Sequence, residues 1–349
     1  MSPGTVLGLL AIFALAVTFD YINGFHDTAN AIATSVSTRA LKPEHAILLS
    51  ATANFVGSIV FGTAVAGTIG SGIVKDPNTA TGNGTTVLMA ALIGAIAWNL
   101  ITWSLAIPSS SSHALVGGLI GSALASAGPN AVQWGNFALK VLLPLVTSPV
   151  LGLLIGLVLM VVLLNVFVHA NPRRMNDRFR RLQIISATYM ALTHGSNDAQ
   201  KTMGIMTLAL FSAGAIPDKT VPIWVILMAA TAMSIGTAAG GWRIMKTMGQ
   251  RVVKLDPVHG FAAETTAASI ILAASHFGMP VSTTHVISSA IMGVGTSDRF
   301  NAVRWGVARS IATAWVLTIP CAAAIAALAF LVLNLLSGPA AAVLHLFGV

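Results

Sequence analysis

The chain has 349 residues, of which 55% are hydrophobic and 8% charged, with a mean hydropathy of +0.83. A soluble domain needs roughly a quarter of its residues charged to cover its surface, so this composition excludes one and describes a polytopic membrane protein. The net charge of +8 is then a topology signal and not a nucleic-acid-binding surface, and the single cysteine, Cys321, leaves no internal disulfide or cysteine metal site.

The N-terminus MSPGTVLGLL lacks a basic region, so no removable signal peptide is expected. The first apolar segment, about Val6 to Val36, contains FDYINGFHDTANAI. In a helix, Asp20, Asn23, Asp27 and Asn30 fall at i, i+3, i+7 and i+10 and share one side. Carboxylates at membrane depth face a bundle interior, a wet cavity or a partner ion, so the stripe reads as a binding surface. Gly24 in its middle is expected to break the helix and free backbone carbonyls as ligands.

Further along, NAVQWG at Asn130 to Gly135 returns as NAVRWG at Asn301 to Gly306, an offset of about 171 residues. At that offset Gly24 maps on Gly195, and Asp27 on Asp198 within THGSNDAQK. PSSSSH (Pro108 to His113) maps on PVSTTH (Pro280 to His285) at nearly the same spacing. Matched landmarks in one order mark two fused copies: repeat 1 over residues 1–168, a basic cytoplasmic linker over 169–181 and repeat 2 over 182–349.

Basic residues set the orientation. Arg39 and Lys42 follow the first segment, the loop around Lys75 and Asp76 is neutral, and the linker NPRRMNDRFRR carries five arginines. With basic loops in the cytoplasm, both termini lie outside. Segments at about His45 to Ile73 and Trp134 to Val168 each cross once, and the pair around PSSSSH begins and ends on one side. The second half repeats the plan from inside: Ile184 to Phe211, Val221 to Trp242, a pair around PVSTTH, then Asn301 to Leu336. The expected fold is an all-α polytopic membrane protein of two inverted-topology repeats, each with full transmembrane helices and one re-entrant hairpin, tips at 108–113 and 280–285. Sites in such folds sit at the bilayer midplane between repeats. Pro144, Pro149 and Pro320 are expected to kink or split the two longest segments.

The two tips place hydroxyls at helix starts: Ser110, Ser111 and Ser112 in one, Ser282, Thr283 and Thr284 in the other. Either set alone is an ordinary N-cap. Two opposed helix N-termini at membrane depth instead form a site for a tetrahedral oxyanion, with free N–H groups and hydroxyls supplying the donors. Asp27 and Asp198 would repel that anion, so they are expected to hold cations. A phosphate dianion entering against about −100 mV opposes roughly 4.6 kcal/mol and needs coupled positive charge. Sodium would take oxygen ligands from Asp27, Asn23, Asn30, Asn197 and Asp198, with Asp27, Asn30 and Asp198 the core of such a site. A proton would need only a carboxylate.

Gln200 is a further expected anion ligand. Lys201 stands at the repeat-equivalent of Asn30, placed to neutralise an aspartate or touch the anion. Glu264 is expected to begin the long arm of the second hairpin, as a dipole-complementing or coupling carboxylate. Asp20, His26, His113, His194 and His285 adjoin these motifs, each as a candidate ligand or a packing residue.

FDYINGFHDTANAIATSVSTRAL, PSSSSHALVGG, ALTHGSNDAQKTMGI and PVSTTHVISSAIMGVG resemble the paired signatures of the inorganic phosphate transporter (Pit) family over essentially the whole chain. The resemblance implies cation-coupled phosphate symport in the inner or plasma membrane, often by a homodimer. Some relatives use sodium, and bacterial ones use protons and carry divalent metal–phosphate complexes. It also implies that the serine and threonine tips hold phosphate while the aspartate and asparagine motifs hold coupling ions, with no resident cofactor. Many relatives carry a long hydrophilic domain where this linker is short. A sulfate permease of the same plan is the alternative. An intramembrane hydrolase is disfavoured, since its serines and histidines would be duplicated and neither tip has a G-x-S-x-G; an anion channel is disfavoured by the buried aspartates. The chain is expected not to be an enzyme.

Overall fold

The computed structural model describes residues 1–75 and 83–346; Asp76, part of the neutral loop above, lies outside them. The described residues are almost entirely helical. In repeat 1 these are α1 (Pro3–Ser37), α2 (Pro43–Val60), α3 (Ala64–Gly72), α4 (Gly84–Ser104), α5 (Ser111–Ala127) and α6 (Trp134–Val166). Repeat 2 gives α7 (Pro172–Ser212), α8 (Ile223–Ala239), α9 (Trp242–Lys246), α10 (Pro257–His276), α11 (Thr283–Thr296) and α12 (Trp305–Leu346). Among the described residues, four helices are long and apolar enough to cross a membrane, and up to six spans result if each bent pair counts as one.

Each half follows the same order: a long helix, a bent pair, a hairpin and a second long helix. Both first helices start alike. Ser2 Oγ accepts the Thr5 N–H, and Asn171 Oδ1 accepts those of Arg173 and Arg174, with proline at the next position in each case. These caps supply acceptors where the first turn has none, and proline loses nothing there. α7 therefore begins inside the basic linker. The bent pairs turn by 76° between α2 and α3 and by 60° between α8 and α9. At the NAV-WG repeats, Trp134 Nε1 donates to Pro129 O and Trp305 Nε1 to Phe300 O, each at 3.0 Å. The same local sequence thus builds the same turn twice.

The copies are not side by side. α1 packs on α8 while its equivalent α7 packs on α2; α5 packs on α12 while α11 packs on α6. This reciprocity is what a two-fold relation produces, and it interleaves the halves so that neither has a core of its own. Apolar side chains at Val146, Val150, Leu154, Val158 and Val162 recur every fourth residue along α6 and stay exposed, the stripe a helix presents to lipid.

Two expectations about backbone are corrected. α1 runs unbroken through Gly24. A Cβ at Gly24 would meet Met233 O at 2.2 Å, and one at Gly236 would meet Tyr21 O at 2.1 Å, so the glycine admits a close helix crossing where the sequence suggested a break. The repeat-equivalent crossing has the same form, with Gly195 against Asn54 O and Gly57 against Leu192 O at 2.3 and 2.0 Å. As for the prolines, α6 carries a π turn at Ala138–Leu142 just before Pro144, but α12 continues through Pro320 as one helix.

Candidate functional site

The predicted stripe of α1 is buried throughout: Asp20, Asn23, Asp27 and Asn30 are all at most 2% exposed. So is the matching stretch of α7, from His194 to Thr202. The interleaved packing brings these two helices against both hairpin tips. Ser111 Oγ donates to Asp27 Oδ2 at 3.3 Å, and its equivalent Thr283 Oγ1 donates to Asp198 Oδ2 at the same distance. Asn30 Nδ2 crosses to the other half and reaches Thr283 and Thr284 hydroxyls at 3.3 and 3.0 Å. The tips touch one another as well. Ser112 Oγ donates to Val281 O at 3.2 Å, and the rings of His113 and His285 lie 4.8 Å apart.

At the centre, one ligand atom each from Asp27, His194 and Asp198 lies within 4.8 Å of the others, all three residues buried. Two carboxylates this close repel strongly in a poorly screened interior unless positive charge stands between them. One such charge is present on Lys201. Lys201, 1% exposed, forms an ion pair with Asp198 Oδ1, and His194 Nε2 is 3.4 Å from Asp198 Oδ2. Asp27 Oδ1 pairs with His26 Nδ1 at 2.5 Å, and the far side of that ring faces Thr102 Oγ1 at 3.1 Å.

The tips also present backbone donors. Ser110 Oγ accepts the His113 N–H and Ser282 Oγ accepts that of His285, each at 3.2 Å. These caps leave the N–H groups of Ser111, Ser112, Thr283 and Thr284 without an acceptor inside their own helices. Both side-chain polar atoms of Asn23, together with Oδ1 of Asn30 and of Asn197, are buried with no hydrogen-bond partner. Buried polar atoms are normally satisfied, so this concentration around two carboxylates suits polar or ionic cargo. A groove of about 590 Å³ between α6 and α12, by contrast, is lined chiefly by apolar side chains and includes none of these groups.

Several candidates have hydrogen-bond partners away from the tips. Gln200 Oε1 accepts the Val65 N–H at 2.8 Å, which caps α3, and no described contact joins Gln200 to either tip. Glu264 does not begin an arm. It lies two turns inside α10 and accepts hydrogen bonds from Thr34, Gln183 and Ser186. Asp20 accepts from Thr202 Oγ1 at 2.5 Å, and Asn197 Nδ2 donates to Ser275 Oγ at 2.8 Å. Sequence reasoning named none of these hydroxyl partners, nor Ser109, whose Oγ donates to Thr102 at 2.8 Å. It also passed over Asn54, which lies 3.3 Å from His194 Nδ1 and donates to Thr237. Ser109, Thr34 and Thr202 had a signal in their place within the quoted motifs.

The sequence matches the phosphate transporter family over residues 23–176 and again over 167–326. The chain belongs to that family. Among its relatives, a probable low-affinity inorganic phosphate transporter of Bacillus subtilis is 50% identical, covering 94% of this chain and 97% of the relative. One of the same description from Rhizobium meliloti is 47% identical with the same coverage. A solved structure titled the sodium-dependent phosphate transporter superposes with a TM-score of 0.86 at 27% identity, covering 94% of this chain and 99% of that one. The family member described here is thus a multi-pass membrane protein built from two repeats and nearly all helical among the described residues.

Proposed function

We propose that this family member imports inorganic phosphate by symport with cations, through alternating access around a midplane site. The observation that carries the reading is the duplicated hydroxyl–carboxylate contact, Ser111 with Asp27 and Thr283 with Asp198, at one centre. In the loaded state the Ser111 and Thr283 hydroxyls turn from carboxylate to phosphate oxygens. Ser112, Thr284 and the free N–H groups of both helix starts complete the cradle, with Ser110 and Ser282 holding those starts in place. The carboxylates, released from their hydroxyl partners, take up the cations with Asn23, Asn30 and Asn197. Cation and anion therefore stabilise one another at the site, which is the energetic basis of coupling. Sodium is the cation favoured by the structural neighbour, whose title names sodium dependence. Membership of a phosphate transporter family favours phosphate over sulfate. The protein resides in the plasma membrane with both termini outside.

Proteoliposomes containing the purified protein are expected to accumulate labelled phosphate when a sodium or proton gradient is imposed. Uptake indifferent to both gradients, or competed by sulfate and not by unlabelled phosphate, would overturn the proposal.

A further inference from the structure

The two halves of the site share their hydroxyl–carboxylate contact and differ around it, with Asp20, Asn23 and His26 standing at the repeat positions of Ala191, His194 and Asn197. Ser111 and Thr283 make equivalent contacts to equivalent aspartates. Asn30 and Lys201, also equivalent in the repeat, do not behave alike. The Asn30 amide reaches across to the opposite tip, whereas the Lys201 ammonium turns back one helical turn onto Asp198. Lys201 ranks among the largest fully buried side chains of the molecule. A buried ammonium is retained only where it is paired, and here its partner is one of the two central carboxylates.

Resting on the phosphate reading above, we propose that Lys201 is a tethered cation at the Asp198 half of the site. The transporter then carries one mobile cation fewer per phosphate than it would with asparagine at both equivalent positions. Asp20 and His113 also feel the charge at position 201, and Asp198 is the carboxylate that Lys201 contacts. Replacing asparagine by lysine adds one positive charge beside Asp198, which displaces one monovalent ion from the set that must accompany the anion. The mobile cation that remains belongs to the Asp27 half, which has no lysine. Lys201 acts on the substrate through Asp198 and is a positioning residue, not a phosphate ligand.

Cation number per phosphate is read in proteoliposomes from the membrane potential at which phosphate flux stops under fixed gradients. Lys201→Asn is expected to move one more cation per phosphate than wild type. In detergent, its unfolding temperature is also expected to rise more steeply with sodium concentration, because an added ion binds the folded state. An unchanged cation number overturns the proposal, as does lost uptake with an unchanged sodium dependence of unfolding. If Lys201→Asn does not fold, Lys201→Gln removes the same charge with a longer amide and is likewise expected to move one more cation per phosphate than wild type. A more than tenfold rise in its KM for phosphate at constant cation number would assign Lys201 to the anion and overturn the proposal. Should wild-type vesicles take up no phosphate under any gradient, the transport reading falls alone, since the sodium dependence of unfolding still judges Lys201.

Discussion

Replacing either central aspartate by asparagine is expected to disable uptake, but only one replacement should also destabilise the fold. Asp198→Asn leaves the Lys201 ammonium, 1% exposed, without its carboxylate, and His194 loses its neighbour at 3.4 Å. Breaking a buried ion pair by removing one partner costs about 3–5 kcal/mol. Asp27→Asn strands no lysine, because its partner is the His26 ring 2.5 Å away. The loss there is one strong hydrogen bond, on the order of 1–3 kcal/mol. Thermal unfolding in detergent, at low sodium and without phosphate, should therefore place Asp198→Asn lower by about 2–4 °C for each kcal/mol of difference between the two costs. Adding Lys201→Met to Asp198→Asn should recover most of that loss, since neither charge then remains. Equal unfolding temperatures for the two single variants, or no recovery in the double, would refute the idea that Lys201 depends on Asp198.

The tips give a second prediction. Ser111→Ala and Thr283→Val each remove a hydroxyl donor from an ionic site, worth about 1.5–3 kcal/mol, so the KM for phosphate should rise at least tenfold with the unfolding temperature little changed. The close crossings give a third. Gly236→Ala forces a methyl to within 2.1 Å of Tyr21 O, and overpacking of about 1–3 kcal/mol should lower stability; the equivalent Gly57→Ala, at 2.0 Å from Leu192 O, should behave alike. In a fourth, Glu264→Gln places an amide among donors from Thr34, Gln183 and Ser186. Its N–H group meets donors where the carboxylate accepted, so the fold should lose about 1–3 kcal/mol and unfold at a lower temperature, with the ion selectivity of uptake measured in parallel.

The stripe of α1, the two tips, the repeat and the helical class were all legible in the sequence. Each depends on spacing along the chain or on similarity between two stretches of it. Helix periodicity decides that Asp20, Asn23, Asp27 and Asn30 share a side, and the NAV-WG turns recur because their tryptophans make the same short-range hydrogen bonds. What the tertiary structure alone decided was which surfaces meet. The pairing of α1 with α8 and of α7 with α2 exchanges helices between halves, and only that exchange sets Asn30 against Thr284 and gathers Asp27, His194 and Asp198. Gly24 shows why the chain could not announce this. The absence of a Cβ permits a broken helix and a close crossing equally, and the choice between them lies with a carbonyl on another helix, two hundred residues away in sequence. Glu264 was misplaced on the same ground, since its partners sit on α1 and α7, beyond any local pattern around it.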